Sequence, residues 1–169
     1  MFVLGIDPGL TRCGFGLIEG SFEGAEEFRA AHAGVLETDV NLGVETRLAQ
    51  IHTDIEALIL DLRPHAVVVE RVFFQRNALT AIPVAQASGI AVGLAGAKGL
   101  AVRQFTAQQV KLAVTGYGAA TKSQVQTMVA KLCGLSEVPE PADAADALGL
   151  AITYFMTERV ERRFTVMTT

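Results

Sequence analysis

The chain has 169 residues, half of them hydrophobic, with a formal net charge of −4 and a mean hydropathy of +0.36. This length and composition exclude a disordered or fibrous chain and predict a single domain, over residues 1–169, that buries a sizeable core. A net negative charge argues against a nucleic-acid partner unless basic residues are concentrated locally.

Three short strands open the chain. Phe2–Asp7 contains apolar and β-branched residues and stops at the turn Asp7-Pro8-Gly9. Residues 13–20 and 28–38 form the second and third strands. Because the connections between these strands are short, they predict an antiparallel meander. No basic segment precedes the first strand, so no leader peptide is expected.

A helix and a buried strand follow the meander. Apolar residues recur at helical spacing over Val44–Leu62, and Pro64 ends the pattern. Ala66–Glu70 is a continuous apolar run closed by Glu70, which is typical of a strand covered on both faces and parallel to a neighbour. If it lies parallel to the first strand, Asp7 and Glu70 emerge at the sheet edge where α/β proteins bind ligands.

Residues 78–99 form a long apolar helix. Pro83 and Lys98 interrupt it and most of its apolar residues are Ala or Gly, so we expect a buried helix rather than a membrane span. Pro83 suits only the first turn or a kink. Small residues every four positions form a ridge that permits close approach of another element: Ala85, Gly89, Gly93 and Ala97. The sequence leaves open whether this ridge meets the chain's own sheet or a second subunit.

One strand and three helices complete the chain. They are a fifth strand at residues 100–105, helices at residues 107–114 and Lys122–Leu132, and a last helix that begins near Pro141. From about Val160 the sequence predicts a short polar tail that frays. The whole pattern predicts an α/β fold with five strands and several helices.

Four carboxylates are placed where strand ends and a helix start can meet: Asp7, Glu70, Asp143 and Asp146. Asp143 and Asp146 are three residues apart, so they share a helix face near its positive end. Like charges about 4 Å apart repel by roughly 4 kcal/mol at a surface-like dielectric, so the cluster must take up protons or bind cations. A shared cation site is the economical explanation, and oxygen ligands favour Mg²⁺ or Mn²⁺ over Zn²⁺.

Such a site has a definite chemistry. Two divalent cations held about 3.5–4 Å apart can activate water for in-line attack on a phosphodiester and stabilise the departing 3′ oxygen. No nucleophilic Ser, Cys or His is then needed, and the histidines share no ligand spacing: His32, His52 and His65. Cys13 and Cys133 lack metal or redox spacing and are expected to be reduced core residues in a cytoplasmic protein.

The charges are distributed unevenly. Residues 1–70 carry a net charge of −8, residues 71–136 carry +7 with no acidic residue, and residues 137–169 carry −3. The basic third also contains the aromatic pair Phe73-Phe74, followed by Arg76. Basic side chains beside aromatic ones suit unpaired or distorted nucleic acid. The middle of the chain therefore predicts a polyanion-binding face.

Several separated motifs carry a resemblance. They are Ile6-Asp7-Pro8-Gly9 with Gly14-Phe15-Gly16, Glu70 with Phe73 and Asn77, Val110-Lys111 through Gly116-Tyr117-Gly118 to Lys122-Ser123-Gln124-Val125, and Ala142-Asp143-Ala144-Ala145-Asp146-Ala147. Together, in this order and across essentially the whole chain, they resemble the RuvC family of bacterial Holliday-junction resolvases.

The resemblance implies a ribonuclease H-like α/β fold, with a five-stranded mixed sheet flanked by helices on both faces. It also implies a homodimer that resolves four-way DNA junctions by paired symmetric nicks, leaving 5′-phosphate and 3′-hydroxyl ends. It implies that two Mg²⁺ ions, or Mn²⁺ in their place, are held in each active site. The implied catalytic and metal-binding residues are Asp7, Glu70, Asp143 and Asp146. The implied DNA-binding residues are Phe73, Arg76, Asn77, Lys111 and Lys122, with Phe73 at the junction centre.

The resemblance also implies the branch-migration proteins RuvA and RuvB as partners. Arg71 stands where the family pattern leads us to expect Gln, and Phe74 either shares the role of Phe73 or fills the core.

Two alternative functions remain open from the sequence. Asp7-Pro8-Gly9 before a Gly-rich strand also resembles the phosphate loop of actin-like ATPases, although those enzymes need two such domains. A non-catalytic junction-binding module would use the basic middle of the chain alone.

Overall fold

The computed structural model describes residues 1–23, 27–72 and 78–168. Its elements in chain order are β1 (Phe2–Asp7), β2 (Arg12–Glu19), β3 (Arg29–Glu37), α1 (Val44–Leu62), β4 (Ala66–Glu70), α2 (Ala78–Ala97), β5 (Ala101–Phe105), α3 (Ala107–Thr115), α4 (Lys122–Leu132) and α5 (Ala142–Thr168). The strands form one five-stranded mixed sheet in the order β3-β2-β1-β4-β5. The predicted fold class is confirmed.

The sheet combines the two pairings that the sequence predicts. Strand β1 pairs antiparallel with β2, and β2 pairs antiparallel with β3. Strand β4 lies parallel to β1, with Ile6 opposite Val69, and β5 lies parallel to β4. The long crossover through α1 allows this parallel pairing, since parallel strands cannot be joined by a tight turn.

Helices cover both faces of the sheet. On one face, α1 and α2 bury Ile51 and Ile55 against Leu4 and Val67. On the other face α3, α4 and α5 form a second core with inward side chains such as Val3, Val68, Leu148 and Phe155. The β-branched run of β4 is fully buried between the two layers, as its sequence predicts. Cys13 and Cys133 are buried and not disulfide-bonded.

Helix α2 turns its small-residue ridge outward. Its buried face carries Ala87, Ala91 and Ala95, which pack in the core with α1. No described atom lies within 4 Å of a Cβ built on Gly89 or Gly93, so the ridge does not contact the chain's own sheet. Pro83 is inside the helix, beyond its first turn. Of the helices in the described residues, none has the length and apolarity needed to span a membrane.

Helix α5 continues well past Val160, where the sequence predicts a frayed tail, and remains helical to Thr168. Contacts from distant parts of the chain support these turns. Arg103 on β5 pairs with Glu158 at 2.7 Å and also with Glu161. The guanidinium carbon of Arg162 lies 4.1 Å from the centre of the Phe22 ring, a distance typical of a cation–π contact.

Candidate metal centre and nucleic-acid interface

Asp7 and Glu70 end two adjacent parallel strands. Because Ile6 is opposite Val69, the residue that follows each of them emerges at the same edge and on the same face of the sheet. That face is the one covered by α5, since side chains alternate along β1 and Val3 packs in the α5 core. The parallel register therefore places these two carboxylates next to each other.

Asp143 and Asp146 reach the same place because α5 lies directly on bare backbone. A Cβ on Gly14 would lie 2.2 Å from the Asp143 carbonyl oxygen, and a Cβ on Gly5 would lie 1.9 Å from that of Ala147. Any larger residue at either position would hold the helix away from the sheet. These glycines thus let the first turns of α5 approach Asp7.

Three of the four carboxylates meet closely. Asp7, Asp143 and Asp146 are half-buried, and each offers one carboxylate oxygen within 4.8 Å of those of the other two. Glu70 stands outside this set, but it lines the same cleft as Asp7 and is among the groups that raise the pKa of Asp7. The structure therefore places Asp7, Asp143 and Asp146 in a close triad, with Glu70 in the same cleft as Asp7.

The electrostatics of the cluster show that negative charge is in excess. The pKa of Asp7 is raised to about 8, mainly by burial and further by the neighbouring carboxyl groups of Glu70, Asp146 and Asp143. An acid with so high a pKa holds its proton at neutral pH unless a cation replaces it. An oxygen-only donor set with this surplus of charge fits a hard divalent cation.

Two basic side chains contact the α5 aspartates. Lys122, the first residue of α4, places Nζ 2.6 Å from Asp146 Oδ2, and this hydrogen bond raises the pKa of Lys122. Thr121 caps α4 in a capping box with Gln124, which fixes the start of that helix. Arg12 Nε donates to Asp143 Oδ2 at 2.8 Å. Arg12 cannot be identified from the sequence as part of this site, because nothing in its local pattern indicates which residues it faces.

Two adjoining clefts flank the carboxylates. A cleft of about 360 Å³ is lined by Asp7, Glu70, Lys111, Lys122 and Asp146. A second, of about 690 Å³, shares Glu70 and Lys111 with the first and continues over Arg71, Thr106, Gln108 and Gly118. Lys111 and Lys122, both predicted DNA-binding residues, thus lie beside the carboxylates.

Not every residue that the sequence singles out is part of the described site. Phe73, Arg76 and Asn77, and also Phe74, lie outside the described residues. His65 accepts a hydrogen bond at Nδ1 from the backbone N–H of Phe2 at 3.0 Å, at the opposite end of β1 from Asp7. That contact gives His65 a structural role, as expected of a histidine without ligand spacing.

Comparison with known proteins decides the family. The family model described as "Crossover junction endodeoxyribonuclease RuvC" matches residues 3–154. The chain belongs to the RuvC family of crossover junction endodeoxyribonucleases. The resemblance drawn from the sequence motifs is thereby confirmed, and with it the expectation of an endodeoxyribonuclease. The actin-like ATPase and the non-catalytic module receive no support.

Two RuvC relatives illustrate the match, which covers most of each chain. Crossover junction endodeoxyribonuclease RuvC of Syntrophomonas wolfei is 45% identical over 160 residues, which are 95% of this chain and 91% of the relative. That of Salinispora arenicola is 50% identical over 155 residues, 91% of this chain and 87% of the relative.

Solved structures of Holliday-junction resolvases align with this chain over most of its length. Thermus thermophilus RuvC in complex with a Holliday junction substrate aligns with a TM-score of 0.88 at 36% identity, covering 95% of this chain and 96% of that one. The yeast mitochondrial Holliday junction resolvase aligns at 13% identity with a TM-score of 0.69, covering 99% of this chain and 84% of that one. At that identity the likeness shows the fold alone, which is the ribonuclease H-like fold predicted from the motifs.

Proposed function

We propose that this chain resolves four-way DNA junctions by paired symmetric nicks, one from each subunit of a homodimer, leaving 5′-phosphate and 3′-hydroxyl ends. The observation that carries the proposal is the meeting of Asp7, Asp143 and Asp146 within 4.8 Å in a chain of the RuvC family. The whole of residues 1–169 acts as one nuclease domain.

Mg²⁺ is the proposed cofactor, with Mn²⁺ as a substitute and two ions in each active site. Asp7, Asp143 and Asp146 supply the ligand oxygens, and Glu70 completes the set beside Asp7. When bound, such ions activate the attacking water and stabilise the departing 3′ oxygen. The chain's own contribution is to hold these carboxylates close together before metal arrives. The raised pKa of Asp7 supports this role, since it reflects negative charge that a cation would neutralise.

The DNA-binding face extends from the clefts beside the carboxylates. Lys111 and Lys122 lie at the first cleft, where they can contact phosphates next to the cleaved bond. From the family motif, Phe73 is proposed for the junction centre, and Arg76 and Asn77 are proposed as further DNA-binding residues. The net charge of +7 over residues 71–136 supports a polyanion partner even though the chain as a whole is acidic.

A homodimer supports the pairing of the nicks. A four-way junction has approximate two-fold symmetry, and a C₂ dimer presents two equivalent sites. The outward ridge on α2, with open space over Gly89 and Gly93, is a surface that a second copy can approach closely.

By family membership we also propose RuvA and RuvB as partners and the cytoplasm as the location.

The test is cleavage of a labelled synthetic four-way junction by purified protein with and without Mg²⁺. We expect symmetric nicks only with Mg²⁺, and we expect Asp7→Asn to bind the junction in EDTA while losing cleavage by a factor of at least about 10³. Nicking by Asp7→Asn at the parental rate would contradict the proposal.

A further inference from the structure

Arg12 forms ion pairs with Asp143, a member of the carboxylate cluster, and with Glu37 on the neighbouring strand. Its Nε donates to Asp143 Oδ2 at 2.8 Å, while Nη1 pairs with Glu37 Oε1. We propose that Arg12 is a positioning residue of the metal centre, which holds the Asp143 carboxylate in the orientation that a divalent cation requires. This inference rests on the proposed function, in which Asp143 is a metal ligand.

Glu37 gives the Arg12 side chain a defined direction. Arg12 and Glu37 are cross-strand partners in the β2–β3 ladder, so their backbones hold the two side chains together. An exposed arginine with one carboxylate partner changes rotamer easily, and its ion pair contributes little. With Glu37 at one nitrogen and Asp143 at another, the planar guanidinium has little freedom to rotate.

The Glu37 anchor is itself tied to the rest of the fold. The Glu37 carbonyl oxygen accepts a hydrogen bond from Gln50 Nε2 at 3.2 Å. The next residue, Thr38, is buried and accepts from Arg47 Nε at 2.9 Å, and Arg47 also donates to Thr11 Oγ1 at 2.6 Å. Helix α1 therefore braces the backbone on both sides of the Arg12–Glu37 pair.

Asp143 needs such support because its neighbours repel it. Its carboxylate stands within 4.8 Å of two other acidic groups, and its side chain is 30% exposed, so rotation toward solvent would relieve the repulsion. The bond from Arg12 engages Oδ2 and leaves the second carboxylate oxygen without that donor. Partners of this kind that orient a ligand typically change metal affinity 10- to 100-fold, by order of magnitude.

The positive charge of Arg12 and its proposed positioning of Asp143 predict opposite changes in metal binding when Arg12 is removed. A positive charge beside a cation site repels the cation, so removing it should tighten metal binding if charge alone matters. If Arg12 positions Asp143, removing it should weaken metal binding. Arg12→Lys keeps the charge but loses the planar fork. Positioning therefore predicts weaker binding for this variant too, whereas charge alone predicts no change.

The experiment measures Mn²⁺ binding by the protein without DNA, using the electron paramagnetic resonance signal of free Mn²⁺. We expect Arg12→Gln to weaken binding about 10- to 100-fold and Arg12→Lys by an intermediate factor. Arg29→Gln is the matched control, because Arg29 forms the same kind of cross-strand pair with Glu19 in the same ladder, away from the cluster. It should bind Mn²⁺ as the parent does. Tighter or unchanged binding by both Arg12 variants would overturn the inference.

A second readout separates positioning from loss of structure and from DNA contact. Cleavage by Arg12→Gln should need more Mn²⁺ for half-maximal rate and recover at saturating Mn²⁺, with junction binding in EDTA unchanged. A lost fold would not recover with metal, and a lost phosphate contact would weaken junction binding and flatten its salt dependence. Either of these results would overturn the inference.

Asp143→Asn distinguishes failure of the inference from failure of the proposed function. If Asp143→Asn loses Mn²⁺ binding while Arg12→Gln does not, Asp143 is a ligand and Arg12 does not position it. If Asp143→Asn binds Mn²⁺ like the parent, the proposed ligand set is wrong and the inference falls with it.

Discussion

A Cβ atom built on Gly14 would lie 2.2 Å from the backbone carbonyl oxygen of Asp143. Strand β2 and the start of α5 therefore touch backbone to backbone, with no side chain between them. This contact sets how closely α5 approaches the sheet, and hence how near Asp143 lies to Asp7. The geometry of the proposed metal site thus depends on a residue that has no side chain.

We expect Gly14→Ala to lower the stability of the fold and to disturb the proposed metal site. The added methyl group must push the α5 backbone away, and overpacking of this kind costs about 1–3 kcal/mol. In a domain of this size each kcal/mol lowers the melting temperature by about 2–4 °C. We expect lower thermal stability together with weaker Mn²⁺ binding and slower cleavage. Gly96→Ala is the control, since no described atom lies within 4 Å of a Cβ built on Gly96. At an exposed helix position Ala is also favoured over Gly. Equal melting temperatures for Gly14→Ala and the parent would contradict the close contact.

Asp7 makes the stability of the protein depend on pH. Its pKa is raised from 3.8 to about 8 by burial and by neighbouring carboxylates. Between these values the folded protein holds a proton that the unfolded chain has lost, so stability in EDTA falls as pH rises through this window. Asp7→Asn has no such proton. We therefore expect it to be more stable than the parent, by a margin that grows from pH 5 to pH 8 and then levels off.

Thermal unfolding in EDTA across that pH range measures the margin. Asp61→Asn, on an exposed part of α1, is the matched control and should follow the parent at every pH. Since a proton on Asp7 competes with a cation, stabilisation of the parent by Mg²⁺ should increase over the same pH range and be absent in Asp7→Asn. A margin independent of pH would show that Asp7 does not titrate as described.

Lys122 lies beside the carboxylates at the cleft that we propose to receive DNA. Its Nζ lies 2.6 Å from Asp146 Oδ2 and its side chain is 59% exposed, so it can also reach a phosphate. We expect Lys122→Ala to weaken junction binding and cleavage and to reduce the dependence of binding on salt by about one phosphate contact. Lys131→Ala, on the last turn of the same helix, should leave both unchanged. A parental salt slope for Lys122→Ala would remove Lys122 from the DNA interface.

Much of the site could be predicted from local sequence patterns. The turn after Asp7 and the β-branched run before Glu70 identify two strand ends, and parallel pairing brings such ends to one edge. The spacing of Asp143 and Asp146 puts both on one helix face. Each of these inferences needs only the period of one element and a general rule of sheet topology.

The Arg12–Glu37 pair could not be predicted in this way. It depends on the register of β2 against β3, which shifts between Leu17 and Ile18. No local pattern in either strand specifies that irregularity. The full length of α5 cannot be predicted from local sequence for a related reason. Its last turns are supported by contacts from Phe22 and Arg103, which are remote in sequence.

The outward ridge of α2 gives a direct test of the proposed dimer. A Leu at position 93 meets no described atom within 4 Å of its Cβ, so the subunit should fold and be at least as stable, since Gly costs a helix about 1 kcal/mol. If a second copy lies against this ridge, the larger side chain should separate the subunits. Sedimentation velocity should then show a monomer for Gly93→Leu, with paired nicks replaced by slow single nicks. Thr53→Leu adds the same side chain to an exposed position on α1 and should remain dimeric. A dimer that persists in Gly93→Leu would place the subunit interface elsewhere.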